Sequence, residues 1–329
     1  MSSAAQTSRR QPGYLALYWL LVGAGAVYFS ALRFMFNRDF PLATLQGLID
    51  GTAYRPFQYR ILIPWLVGRI HDLTGISSVA LYQSVEALAT IGVVLALRYS
   101  LAEHFRGRAL DIFSAAILLV LPWNYLLPQE IALIIPSDLP AVMFFTLLLA
   151  LMSRQKWRWY YPLFALATFN RETTCFLTVV YLLVNWKRVP AKRLLLHIAA
   201  QFVIWVAIKF WLAHVYADNP GSMFEIYGVA GDRTHLDSNL EFLFSPMRVL
   251  VLLASFGFLW APVLFWRKKI DDEFVRRALL VLAPFFLVMA LIGNLNETRI
   301  FGEFAPLVYT GALLLMYKVG ADGWKSVTT

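Results

Sequence analysis

The chain has 329 residues, of which 59% are hydrophobic and 16% aromatic, and its mean hydropathy is +0.61. A soluble core cannot absorb that much apolar surface, so a cytosolic globular domain is excluded and a polytopic membrane protein is implied. The net charge of +9 does not call for nucleic acid, because the basic residues fall between apolar runs in a pattern that orients the chain.

Residues 1–13 are polar and read as a disordered cytoplasmic N-terminus. The first apolar run, 14–36, follows Arg9 and Arg10 as a signal peptide would, but it is too long and has no small-residue cleavage site. It is therefore read as a retained helix. Further spans are expected at 77–98, 109–126, 137–152, 158–170, 173–186, 194–216, 245–266, 278–293 and 303–318. The expectation is an all-α transmembrane bundle of about ten helices, a single domain over 14–318 with a cytoplasmic tail at 319–329. If the N-terminus is inside, so are the basic clusters Arg98–Arg108, Arg154–Arg158, Lys187–Arg193, Arg267–Arg277 and Lys318–Lys325. Both termini then lie in the cytoplasm, as in a multi-pass protein of a bacterial inner or plasma membrane.

Two segments need separate treatment. RILIPWLVGRIHDLT, 60–74, carries too much charge for a span and reads as an amphipathic helix on the outer surface. The block 158–186 is interrupted by Asn170, Arg171 and Glu172 and reads as a short hairpin with those residues at its tip. The only cysteine, Cys175, follows that tip and has no partner for an internal disulfide.

This topology collects the polar clusters on one face. The first outer loop, 37–76, holds Asp39, Asp50, Arg55, Gln58, Tyr59 and Arg60. The second holds Gln129, Glu130 and a turn ending in Asp138, and the fourth holds Glu225, Asp232, His235 and Glu241. The fifth is NLNETRIFGEF, 294–304, with Glu297, Arg299 and Glu303. Exposed acids of such loops are ordinarily solvated caps. Arg171 differs, because an arginine near mid-helix costs roughly 2.5–3.5 kcal/mol unless paired. An ion pair with Glu172 or Glu303 would satisfy it structurally; contact with a substrate would do so functionally. Glu86 and Lys209, inside expected helices, are read as structural partners. There is no Walker sequence, glycine-rich dinucleotide fingerprint or zinc spacing. Asp39, Asp50 and His235 are possible metal ligands without a spacing signature, so no cofactor is expected.

Asp39 followed by LATLQGLIDGTAYRPFQYRILIPWL resembles the start of GT-C superfamily membrane glycosyltransferases. There an acidic residue closely follows the first helix, and a "YR…P" element, here Tyr59, Arg60 and Pro64, leads out through surface helices, as in mannosyltransferases of GPI-anchor assembly. LFALATFNRETTCFLTVVYLL, 163–183, is similar to the family's hairpin with a basic residue after a small-residue helix. NETRIFGEFAPLVY, 296–309, is similar to its late "E-x-R-F…P" element.

The resemblance implies inverting transfer of a sugar from a polyprenyl-phosphate donor to a glycan, lipid or protein acceptor on the extracytoplasmic face. Asp39 matches the loop-one acid that serves as base. Arg55, Arg60, Arg171 and Arg299 would bind the leaving phosphate. Glu172, Glu297 and Glu303 would orient those arginines or bind sugar hydroxyls, with Tyr59, Asp138 and Asn170 as further substrate-binding candidates. The chain departs from many members in having Arg38 beside Asp39 rather than a second acid. The partners implied are the lipid-linked donor, the acceptor and the bilayer. The alternatives are a transporter or flippase with Arg171, Glu86 and Lys209 along a substrate path, and a polysaccharide polymerase or ligase.

Overall fold

The computed structural model describes residues 12–126, 133–224, 226–227 and 233–327. Gln129, Glu130, Glu225, Asp232 and most of the expected disordered N-terminus lie outside these residues. Among the described residues the chain is all-helical apart from two short strands, β1 (Arg38–Asp39) and β2 (Leu133–Ile134), which pair in parallel.

Helix α1 (Pro12–Phe36) is followed by β1, then α2 (Leu45–Asp50) and α3 (Leu62–Thr74). The Thr44 side chain accepts from the Gly47 N–H at 3.0 Å and so caps α2. Of the segment 60–74, expected as an amphipathic helix, Leu62–Thr74 is helical as α3. Ile63 and Val67 pack inward with Leu45 and Tyr82, while Trp65, Leu66 and Leu73 face outward.

At the centre, α4 (Ser78–Leu101) packs along α7 (Asp138–Ser153). Leu139, Val142, Phe145 and Leu148 of α7 are buried against Val93, Val94 and Leu97 of α4. A helix apolar on every side suits a position enclosed by other helices. Gly92 allows the close approach, since a Cβ there would overlap Met143. Between these helices the expected span 109–126 breaks into α5 (Gly107–Ala115), a 3₁₀ turn and α6 (Pro122–Tyr125). Pro122 has no N–H with which to continue a helix, so the backbone restarts there.

The expected hairpin forms from α8 (Trp157–Asn170) and α9 (Cys175–Asn185). Trp157, at the start of α8, meets Tyr181 near the end of α9 edge-on at 5.5 Å, so the chain reverses around 171–174. α10 (Ala191–Val215) leaves a row including Leu195, Phe202 and Phe210 exposed, as a lipid-facing helix does. Then follow α11 (His235–Leu243), α12 (Pro246–Ala254), α13 (Trp260–Phe265), α14 (Glu273–Ala278), α15 (Leu282–Ile292) and α16 (Ala305–Val327).

Among the described residues, five helices are long and apolar enough to cross a membrane: Gly13–Phe36, Ser78–Leu101, Ala191–Val215, Glu273–Ile292 and Thr298–Lys318. The count is six if His235–Leu243 and Pro246–Phe258, bent by 98°, form one broken span. The expected ten are not reached on that measure. Spans 137–152 and 173–186 are shorter apolar helices, and 245–266 is kinked where Phe256, Gly257 and Phe258 take positive φ. Of the remaining apolar runs, α7 is buried on nearly every side, whereas Leu119, Trp159, Met247 and Phe265 of the others are exposed.

Candidate functional site

Three interruptions of helix bring charged side chains together. At the first, Ile135–Asp138 forms a turn, with the Asp138 N–H donating to the Ile135 carbonyl at 3.1 Å, and Asp138 opens α7. Its carboxylate therefore sits at the positive end of the helix dipole. At the second, α8 stops because Arg171 is extended (φ −160°, ψ 135°), and a short 3₁₀ turn leads into α9. At the third, α15 ends at a turn whose Ala290 and Gly293 carbonyls accept from Asn239 at 3.0 and 2.7 Å. A 3₁₀ segment, Thr298–Phe304, then runs into α16 with every residue buried. Seven residues is long for 3₁₀ geometry, which often marks a functional segment.

Asp138 is the hub. Completely buried, it accepts from Arg33 Nη2 at 3.1 Å, Arg171 Nη1 at 2.9 Å and Arg299 Nη1 at 3.3 Å. Arg33 also pairs with Glu86, and Arg299 with Glu297. Arg171 Nε reaches Glu303 at 3.1 Å, and Thr173 donates to the same carboxylate at 2.6 Å. At the rim, Arg60 makes a two-point contact with Glu172, Nη2 to Oε1 at 3.0 Å and Nε to Oε2 at 3.4 Å. Such pairs answer the desolvation cost of the buried arginines.

In front of this network lies a cavity of about 690 Å³. Its charged lining comprises Arg60, Arg171, Lys209 and Arg299 against Glu172 and Glu297, an excess of cations. Asp138 and Glu303, the compensating acids, stand behind the wall. Thr173, His235, Ser238 and Asn294 add further polar groups, while Phe176 and Val179 of α9 with Val288, Met289 and Ile292 of α15 form an apolar side. Lys209 on α10 is only 3% exposed. Its ammonium lies over the rings of Tyr59 at 4.4 Å and Phe224 at 5.5 Å, and among the described residues no carboxylate is in ion-pair contact with it. Glu172 attracts it from further away but is bound to Arg60.

Comparisons with protein-family models, curated proteins and solved structures return no match to this chain. The site is therefore read from its own chemistry.

Of the residues singled out from sequence, Arg60, Arg171, Glu172, Glu297 and Arg299 line the cavity. Asp138 and Glu303 do not line it but hold its arginines. Asn170 donates to the Ser137 carbonyl at 3.0 Å, tying the hairpin tip to the start of α7. Arg55 donates to the Gly221 carbonyl at 2.8 Å, and buried Tyr59 lies beneath Lys209. NLNETRIFGEF, expected as an outer-face turn, is a turn only to Glu297; Thr298–Phe304 is a buried 3₁₀ stem of the last helix.

Asp39 stays outside the network. It is exposed on β1, where its carboxylate accepts from the Leu45 N–H at 3.4 Å. Its chain neighbour Phe40 and the paired strand's Leu133 line the cavity, but Asp39 itself does not, and its carboxylate is turned toward the start of α2. Partial shielding from water raises its pKa above the ordinary carboxylate value, against the opposing effect of the Leu45 N–H. Among the described residues Asp39, Asp50 and His235 do not assemble into a metal-binding group.

One residue, Arg33, escaped the sequence reading. Arg33 lies in the last turn of a long apolar helix, and an arginine there is itself a signal. Lys209 carried the same signal but was read as a structural partner like Glu86. Glu86 is paired with Arg33, whereas Lys209 faces the cavity.

Proposed function

We propose that the protein is an inverting membrane glycosyltransferase that moves a sugar from a polyprenyl-phosphate donor to an acceptor at the extracytoplasmic boundary. One observation carries the reading: a single cavity combines a cation-rich wall with apolar sides from α9 and α15. A lipid phosphate has this same combination, an anionic head on a hydrocarbon tail. A solute permease has less use for the apolar half.

The chemistry divides among the residues by what each is free to do. Arg171 and Arg299 are held by Asp138, so they present fixed donors to a phosphate without needing to reorganise. Lys209 has no such partner, and a phosphate oxygen would supply one. Glu172 and Glu297 are engaged by arginines and are thereby poor bases. Asp39 makes no ion pair with an arginine, only a long hydrogen bond from the Leu45 N–H, and its raised pKa makes it the better proton acceptor. In the step, the acceptor hydroxyl gives its proton to Asp39 as its oxygen bonds to the anomeric carbon. The bond from that carbon to the phosphate oxygen breaks, and the phosphate leaves as the lipid monoester with the electron pair. Attack opposite the leaving group inverts the centre.

The test is transfer of labelled sugar from polyprenyl-phosphate donors by the purified protein in lipid, with Asp39→Asn alongside. General-base catalysis is worth about 10²- to 10⁴-fold, so the variant loses that much turnover while folded yield is kept. Full turnover in Asp39→Asn would remove Asp39 from the mechanism. No transfer or consumption of any such donor by the wild type would sink the transferase reading.

A further inference from the structure

A second basic cavity, of about 600 Å³, lies at the opposite end of α9. The first turn of α9, with Cys175 and Phe176, lines the charged cavity described above; its last turn, with Leu182 and Leu183, lines this one. Cys175 and Leu183 lie about 12 Å apart along the helix, and Val179, also in the first cavity's wall, lies between them. Leu280, just before α15, completes the apolar part, and Trp186 stands exposed at the end of α9. Tryptophan in that setting marks a membrane–water boundary.

Three arginines, Arg267, Arg276 and Arg277, complete the wall, and each is half-buried and oriented by the protein. Arg267 Nη1 donates to the Arg276 carbonyl at 3.0 Å, and Arg276 Nη1 to the Ile270 carbonyl at 2.7 Å. Arg277 Nε pairs with Glu273 at 2.9 Å, and its Nη1 donates to the Trp186 carbonyl at 3.1 Å. Glu273, the one carboxylate in the lining, also serves Arg188 at 3.0 Å. Charge in the cavity is therefore positive, and the guanidinium groups keep N–H donors beyond those used in orienting them. The tendency of basic residues to collect on one side of a membrane explains their presence at this boundary. It does not explain why they are held by carbonyls around a leucine-lined cavity.

We propose that this cavity binds an anionic glycerophospholipid in the leaflet opposite the charged cavity. Its phosphate meets Arg267 and Arg276, and its acyl chains lie against Leu182, Leu183 and Leu280. A lipid is favoured over a soluble phosphate because the arginines and the leucines share one cavity, and a small anion would leave the leucines wet. The inference is independent of the glycosyl-transfer reading.

Native mass spectrometry of the full chain, delipidated and offered equal amounts of phosphatidylglycerol and phosphatidylcholine with matched chains, tests it. The wild type is expected to retain phosphatidylglycerol at least tenfold better. In R267Q/R276Q the two lipids come to parity. Those substitutions also remove bonds to carbonyls, so a second variant, Leu280→Trp, fills the apolar part without changing charge and is expected to cut phosphatidylglycerol retention severalfold. Equal retention of both lipids by the wild type overturns the proposal, as does an undiminished preference in both variants. Displacement of the bound lipid by millimolar glycerol phosphate would assign the site to a soluble phosphate and overturn the lipid assignment.

Discussion

Asp138 and Lys209 are both buried charges on the bundle's helices, and their surroundings are opposite. Asp138 is held by Arg33, Arg171 and Arg299, each within 3.3 Å. Lys209 has two aromatic rings and the cavity. A buried charge with three partners is part of the scaffold, because removing it strands the others. A buried charge facing a cavity with no ion-pair partner is more stable when something anionic occupies that cavity. The comparison separates residues that build the site from those that meet a ligand.

The largest expected effect tests the scaffold side. Asp138→Asn removes the negative charge shared by three buried guanidinium groups and is expected to cost about 3–5 kcal/mol, the range for breaking a buried ion pair. Thermal unfolding in a fixed detergent measures it. A loss below about 1 kcal/mol would mean the arginines find other partners, and the distinction between the two regions would fail.

The pH dependence of turnover tests Asp39 as the base. Its pKa is raised, so the carboxylate is lost as pH falls through a value above the ordinary one of about 3.9. Turnover should have an acid limb displaced upward, and residual turnover in Asp39→Asn should lack it. For stability the fold favours protonated Asp39, so a small penalty builds as pH rises from the ordinary carboxylate value to the raised one and is complete above it. An acid limb in the ordinary carboxylate range or below would transfer the role to another group.

The smallest effects separate Lys209 and the periphery from Asp138. Lys209→Met replaces an unpaired buried ammonium with an apolar chain of similar length, so stability of the ligand-free protein should hold or rise by up to about 1 kcal/mol. A loss as large as that of Asp138→Asn would make Lys209 scaffold. Arg233→Ala breaks an ion pair with Glu241 in which both side chains are more than 60% exposed. It is expected to change stability by less than about 0.5 kcal/mol, and a larger loss would show that exposed pairs here are not screened.

Much of this was legible in the chain. The break at Asn170–Glu172 reads as a hairpin tip because two charges interrupt an apolar block, and the structure reverses there. Glu303 was a candidate partner for Arg171, and the two are in contact. The amphipathic pattern of 60–74 became α3. Other features depend on three-dimensional pairing, which no local pattern records. Glu86 and Lys209 look alike as charges within apolar helices; only the fold brings Arg33 to one and leaves a cavity before the other. The five or six long apolar helices among the described residues fall short of about ten, and an apolar run enclosed by protein has the same composition as one facing lipid. α7, buried on nearly every side, is the clearest instance.

The central claim is that the cation-rich cavity receives a lipid phosphate. The most direct test is the affinity of polyprenyl phosphate for the wild type and Lys209→Met in lipid nanodiscs, with thermal unfolding recorded on the same samples. A hydrogen bond to a charged group is worth about 1.5–3 kcal/mol, so the account predicts at least a roughly tenfold weaker affinity in the variant, with its stability intact. Equal affinity for the two proteins would contradict it.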